Sequence, residues 1–72
     1  MTKEAIREAL DTQPFKPFAM RLADGLLIPV PHPDFVFLTQ GGRTAIVNTE
    51  GERIKILDTA LITALELDER PH

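Results

Sequence analysis

The sequence contains no cysteine, tryptophan, tyrosine or serine among its 72 residues. Without cysteine, neither a disulfide framework nor a cysteine-based zinc site can stabilise the fold. Without serine, a serine nucleophile is excluded, and threonine supplies the only aliphatic hydroxyl groups. Because domains typically hold about 100 to 150 residues, the chain suffices for one small domain and is too short to enclose a large cofactor.

Long apolar runs and an excess of positive charge are also missing. No apolar stretch approaches the roughly 20 residues needed to cross a bilayer, and the N-terminus lacks the basic and apolar segments of a signal peptide. We therefore expect a cytoplasmic protein that makes no membrane contact. Eight basic and eleven acidic residues give a net charge of −3, which disfavours nucleic acid as a partner, since phosphate binding relies on Lys and Arg.

The N-terminal residues 2–12 are predicted to form an amphipathic helix. Thr2 is a suitable N-cap, and the apolar residues that follow recur at helical spacing on one face. Pro14 disfavours helical backbone at Gln13, so the helix should end near residue 12. In the connector that follows, Phe15 and Phe18 are spaced so that both rings can reach the core and fasten the helix to the remainder of the domain.

From residue 18 onward the apolar residues alternate, which is typical of β-strands. The Asp24-Gly25 turn joins the first two strands. A three-residue loop with Gly25 in the left-handed conformation gives a continuous apolar face, because it pairs Leu22 with Leu26, Met20 with Ile28, and Phe18 with Val30. A two-residue loop would set Leu22 opposite Leu27 and break that face.

The remaining pattern predicts a mainly β domain with one N-terminal α-helix. A short turn is expected over 58–61 and a flexible tail over 68–72. One helix followed by five or six short strands indicates a single domain, with a small antiparallel barrel formed by residues 18–67. The further strands are predicted at 35–39, 44–49, 52–57 and 62–67.

The apolar content exceeds what so small a barrel can bury. Of 24 large apolar side chains, a barrel interior with one docked helix holds about 15. The surplus predicts a homo-oligomer or a protein partner, because exposed apolar edges pair with other chains. The candidate interface lies on the last two strands and comprises Ile54, Ile56, Leu57, Ile62, Leu65 and Leu67.

Groups that could carry chemistry are few. His32 and Asp34 supply two potential metal ligands, whereas a metal site needs about three or four. General base catalysis by His32 would require an orienting carboxylate and a nucleophile, and no phosphate-binding or dinucleotide-binding fingerprint is present. We therefore predict neither a catalytic residue, a metal site nor a cofactor, and interpret His32-Pro33-Asp34 as a rigid crossover between strands.

Three motifs together resemble a group of short bacterial proteins whose function is unassigned. They are Gln-Pro-Phe-Lys-Pro-Phe at 13–18, Leu-Ala-Asp-Gly at 22–25 and His-Pro-Asp-Phe at 32–35. The similarity covers nearly the whole chain and implies a common fold. It carries no activity over to this sequence.

The order of elements also resembles SH3-like barrels and, with the closing turn at 59–63, Sm-like barrels. The Sm-like resemblance implies assembly by pairing of strands between subunits and RNA contacts from loops. Residues 34–37 contain no Asn and residues 50–52 read Glu-Gly-Glu, where Sm motifs have Asp with Asn and Arg-Gly. We therefore predict a non-enzymatic module for self-assembly or protein binding. The alternative is an Sm-like RNA-binding oligomer whose contacts would be His32, Arg43, Arg53 and Lys55.

Overall fold

The computed structural model describes residues 1–49, 51 and 53–67. The predicted flexible tail at 68–72, and Glu52 at the start of a predicted strand, lie outside this range. These residues form one helix, six strands and two short 3-10 turns, at Pro33–Phe35 and Thr59–Leu61. In chain order the helix and strands are α1 (Lys3–Asp11), β1 (Phe18–Leu22), β2 (Leu27–Val30), β3 (Val36–Leu38), β4 (Thr44–Thr49), β5 (Arg53–Asp58) and β6 (Ile62–Leu67).

Helix α1 begins and ends where its capping residues place it. The Thr2 hydroxyl accepts a hydrogen bond from the Ala5 N–H at 3.3 Å, which confirms the predicted N-cap. At the other end, the Thr12 hydroxyl donates to the Glu8 carbonyl at 2.7 Å. A nine-residue helix is marginal alone, and burial of Ile6 docks it on the sheets.

The six strands form two antiparallel sheets of three. The strand order is β2-β1-β6 in the first sheet and β3-β4-β5 in the second. The mainly β fold with one N-terminal helix is thus confirmed. No strand ladder joins the two sheets among the described residues, so a closed barrel is not seen there. The chain passes between the sheets through the two 3-10 turns.

The β1–β2 hairpin has the predicted register. Met20 faces Ile28, and the Leu22 N–H donates to the Leu26 carbonyl at 2.8 Å. Gly25 has a φ of 91°, a left-handed conformation that glycine adopts without steric cost. The Asp24 carboxylate accepts the Leu26 N–H at 2.9 Å and so holds the loop. The three-residue loop is therefore confirmed.

One apolar cluster lies between the sheets. In the first sheet, a register shift in β6 beside Arg21 and Leu22 allows Ile62 and Leu65 to face the same core, although they lie three positions apart in the sequence. The predicted role of the connector is confirmed, since Phe18 is buried and Phe15 packs on it with ring centroids 5.9 Å apart. The buried apolar residues of this cluster are Ile6, Phe18, Met20, Leu22, Ile28, Val30, Val36, Leu38, Ala45, Val47 and Ile62.

The 3-10 turn after β5 ties three segments together. The Thr59 hydroxyl donates to the Gly42 carbonyl at 2.8 Å, and the Thr59 N–H donates to the Arg43 carbonyl at 2.8 Å. The backbone nitrogen of Met1 donates to the carbonyls of Thr59 and Ile62 at 3.1 and 2.9 Å. These bonds fix the start of α1 and the β3–β4 loop against the return to the first sheet.

Candidate protein-binding surface

The outer face of the second sheet carries a row of exposed apolar side chains. Cross-strand register places Phe37 beside Ile46 and Ile46 beside Ile56, while Ile54 lies two residues away along β5, opposite Asn48. The exposed fractions are 65% for Phe37, 72% for Ile56 and 64% for Ile54, and Ile46 is half-buried between its neighbours. We call Phe37, Ile46, Ile54 and Ile56 the apolar strip.

The strip exists because the second sheet is apolar on both faces. Its inner face supplies Val36, Leu38, Ala45 and Val47 to the core. An antiparallel sheet with one solvated face normally alternates apolar and polar residues, so a second apolar face predicts a further covering layer. The strip exposes on the order of 400 Å², which reaches the size of patches that commonly mark interaction sites.

The described part of the outer face carries little charge. Along β3, β4 and β5, the described residues of the same parity as the strip are Thr44, Asn48 and Asp58. The Asp58 carboxylate accepts the Ala60 N–H at 2.9 Å and caps the 3-10 turn, so it already has a partner. A neutral apolar surface suits a partner of the same kind.

A second feature is a groove of about 430 Å³ between β2 and β5, which are one edge strand of each sheet. Apolar Leu26, Leu27 and Pro29 line the β2 side. Arg53 and Lys55 line the other side, on the face of β5 opposite to the strip. Strand β5 therefore has an apolar outer face and a basic groove-facing side.

The predicted interface residues are distributed over three environments. Ile54 and Ile56 lie together in the strip. Leu57 and Leu65 are half-buried against the core, and Ile62 is only 1% exposed, so we leave Ile62 out of any surface. Leu67 is exposed but belongs to the first sheet, opposite Phe18.

Sequence reasoning missed Phe37 and Ile46. A usable signal was present in the β3–β4 loop, because a loop that sets Leu38 opposite Ala45 also sets Phe37 opposite Ile46, on the face away from the core. Counting parity across that hairpin, rather than treating both residues of each alternation as core, would have identified the row.

The four residues predicted to contact RNA do not form one site. All four are exposed. Arg53 and Lys55 share the groove, whereas Arg43 lies beyond the other end of β4, and the His32 ring packs on Phe35 with centroids 5.7 Å apart. The structure therefore brings two of the four together.

An ion pair joins the exposed side of β1 to β6. The Arg21 Nε donates to a carboxylate oxygen of Glu66, and this hydrogen bond, followed by the charge of Glu66, raises the pKa of Arg21 above its ordinary value against a smaller opposing effect of desolvation. On the other side of the same ladder, Met20 faces Leu65. In this ladder, one ion pair on the exposed side thus lies next to an apolar pair on the core side.

Within residues 1–49, 51 and 53–67, no group of three or more His, Asp or Glu side chains is arranged to hold a metal ion. No helix in the described part of the chain has the length and apolar character needed to cross a membrane.

Comparison of the chain with protein-family models found no matching family. Searches of curated proteins and of solved structures likewise found no match.

Proposed function

We propose that the protein is a non-enzymatic assembly module whose apolar strip binds the strip of a second copy. The observation that supports this most strongly is the exposure of Phe37, Ile54 and Ile56 in one continuous patch on a sheet whose other face is already buried in the core. Burial of this patch removes apolar surface from water, which is the main driving force of association.

A second copy suits the strip because the contact is self-complementary. Two-fold symmetry brings the same patch of each subunit together, so a charge near the two-fold axis meets its own copy. The described outer face of β3 to β5 offers Asp58 as its one charged side chain, at the end of β5 and occupied in capping. Strip-to-strip packing therefore brings few charges into opposition.

The size of the strip sets the expected strength. Two strips bury roughly 800 Å² in total, below the approximately 1,200 Å² of standard stable interfaces. Residues at the rim of the strip add to the buried area, but the interface stays smaller than a standard stable one. We therefore expect a reversible association in the micromolar range, on the order of −8 kcal/mol, rather than a permanent dimer.

The SH3-like or Sm-like barrel is part of the same proposal at the level of fold. Its support is the order of elements, with α1 first, six antiparallel strands, and a 3-10 turn immediately before β6. The alternative function, an Sm-like RNA-binding oligomer, has support from Arg53 and Lys55 in the groove. It gains none from Arg43 and His32, which lie elsewhere.

Thiol cross-linking tests the proposed interface, since the chain has no natural cysteine. Asn48→Cys places one thiol on the outer face beside Ile54, and Glu8→Cys places one on the exposed side of α1. A short bifunctional maleimide should join Asn48→Cys chains into dimers and leave Glu8→Cys chains monomeric. Adding Ile56→Asp should abolish the dimers.

Equal cross-linking of the two cysteine variants would contradict the proposal, as would persistence of dimers with Ile56→Asp. Retardation of short single-stranded RNA by the wild-type chain, weakening steeply as salt rises, would favour the alternative instead.

A further inference from the structure

The edge of β5 that faces away from β4 has backbone groups available for another strand. The Thr59 N–H donates to the Arg43 carbonyl, so the pair formed by these residues is hydrogen-bonded. Antiparallel pairs alternate between bonded and non-bonded, and the register continues from this pair through Thr44 and Asp58 along β4 and β5. The backbone groups of Ile54, Ile56 and Asp58 therefore point away from β4, towards the open edge.

The opposite wall of the groove is closed to such pairing. In the β1–β2 hairpin the bonded pair of Leu22 and Leu26 places the backbone of Leu27 and Pro29 outward by the same alternation. Proline has no N–H, so Pro29 interrupts the outer edge of β2. Natural sheets protect their edges in this way. Among the described strands that line the groove, β5 is thus the edge left able to accept a partner strand.

The side chains that flank this edge define the partner. A strand added beside β5 would place alternate side chains next to Ile54 and Ile56 on the outer face, and the others next to Arg53 and Lys55 in the groove. Apolar residues fit the first position and carboxylates the second. The groove volume lies within the roughly 300 to 1,000 Å³ of ordinary binding clefts.

We infer that the edge of β5 binds an extended protein segment in which apolar and acidic residues alternate, by adding it as a fourth strand of the second sheet. The β1–β6 ladder shows the same chemistry within the chain, since Arg21 pairs with Glu66 on one side and Met20 with Leu65 on the other. Main-chain bonds supply affinity in such complexes and the alternate side chains supply specificity.

A peptide fits the groove better than single-stranded nucleic acid does. Nucleic acid without base pairing is bound by basic grooves together with aromatic rings on which bases stack. The described groove lining contains no aromatic side chain, and Leu26, Leu27 and Pro29 form its other wall. The inference does not rest on assembly through the strip, because the strip occupies a face of the sheet and the partner strand an edge.

Binding of a labelled probe peptide tests the inference. The probe is Gly-Val-Glu-Val-Glu-Val-Gly with a fluorophore at its N-terminus, and the matched control peptide has Lys in place of both Glu. Fluorescence anisotropy should show saturable binding of the acidic probe and at least about tenfold weaker binding of the basic control, since charge complementarity sets partner choice. Equal binding of the two peptides, or no binding at millimolar protein, would overturn the inference.

Charge reversal on the protein locates the site. The double variant Arg53→Glu with Lys55→Glu should lose at least about tenfold in affinity for the acidic probe and gain affinity for the basic control. The matched variant Arg7→Glu with Lys16→Glu changes the net charge by the same amount at exposed positions on α1 and the connector. It should bind as the wild type does, and a loss equal to that of the groove variant would show that only net charge matters.

Backbone pairing is tested on the peptide, so that the protein is unchanged. Methylation of the amide nitrogens on one edge of the probe should weaken binding at least about tenfold, whereas methylation on the other edge should leave it within about twofold, because only one edge pairs with β5. Equal effects of the two methylated probes would exclude strand addition. If a short oligouridine displaced the labelled probe at a lower concentration than the unlabelled probe does, the groove would be a nucleic-acid site rather than a peptide site.

If the wild-type chain remains monomeric but binds the probe in this pattern, the inference stands and the assembly proposal fails. If the chain assembles but does not bind the probe, the assembly proposal stands and the inference fails.

Discussion

Thr59 is a buried polar residue whose hydroxyl group has a hydrogen-bond partner. Its hydroxyl donates to the Gly42 carbonyl at 2.8 Å and lies 3.2 Å from the Arg43 carbonyl. Thr59→Val keeps the shape and removes the donor, so a buried carbonyl loses its partner at a cost of about 1 to 3 kcal/mol. Urea unfolding of the variant measures this.

Thr63→Val is the matched control, because the Thr63 hydroxyl donates to the Arg21 carbonyl at 3.2 Å on an exposed part of the sheet. Water can replace that donor, and the expected cost is about 0.5 kcal/mol or less. Unfolding free energies that are equal for the two variants would show that Thr59 does not hold the β3–β4 loop.

Gly42 is required for two reasons, a positive φ and a neighbouring side chain, and comparison with Gly51 separates them. Its φ is 73°, and an added Cβ would overlap the Lys3 side chain. Gly51 has nearly the same φ, 79°, with open space around it. Gly51→Ala should lower the free energy of unfolding by about 1 to 2 kcal/mol from backbone strain alone. Gly42→Ala should lower it by about 1 kcal/mol more, because the Lys3 side chain must move.

Thermal or urea unfolding of the two alanine variants makes the comparison. A smaller loss for Gly42→Ala than for Gly51→Ala would mean that the start of α1 does not pack on the β3–β4 loop as described.

Helix ends and tight turns were predictable from the sequence, because neighbouring residues determine them. The Thr2 cap, the break before Pro14 and the left-handed Gly25 each depend on a few neighbouring residues, and each is as expected. The Leu22–Leu26 register followed because only one loop length gives a continuous apolar face. Features set by distant partners were not predictable in this way, such as the register shift of β6 against β1.

The candidate site was predicted in part for the same reason. Ile54 and Ile56 are predictable from the surplus of large apolar residues, which the sequence analysis assigns to the last two strands, and both are exposed. Phe37 was not predicted, because its exposure depends on which side of β3 meets the core, and that is decided by pairing with β4. Ile62 was assigned to a possible surface although α1 and both sheets enclose it.

Proline substitution along β5 tests the direction of its backbone groups. Lys55→Pro removes an N–H that the alternation assigns to a bond with β4, and should cost about 3 kcal/mol or more. Ile54→Pro removes an N–H that faces the open edge and should cost at least about 1 kcal/mol less. Both residues are exposed, so loss of side-chain burial contributes little to the difference.

Hydrogen exchange on the wild-type protein gives the same information without substitution. The Lys55 amide should be protected and the Ile54 amide should exchange fast in the monomer. If the Ile54 amide were the protected one, or if Ile54→Pro cost more than Lys55→Pro, the backbone groups of Ile54 would bond to β4. The open edge of β5 would then lack the groups assigned to it, and strand addition there would have no basis.

For the whole molecule, the balance of apolar residues argues for association. The core is one cluster with α1 docked upon it, and yet seven large apolar side chains remain exposed. Scattered exposure of single apolar residues is normal in monomers. The strip differs because three of these seven side chains lie together on one sheet face, with Ile46 filling the row between them.

The mass of the protein in solution, measured by sedimentation equilibrium over a concentration series, tests self-association through the strip most directly. We expect the wild-type mass to rise from 8.0 kDa towards twice that value as concentration passes through the micromolar range. Ile56→Asp should stay monomeric and folded, while Leu61→Asp, an equally polar change at an exposed leucine outside the strip, should associate as the wild type does. A wild-type mass that stays at 8.0 kDa up to millimolar concentration, or equal association of all three proteins, would contradict the account.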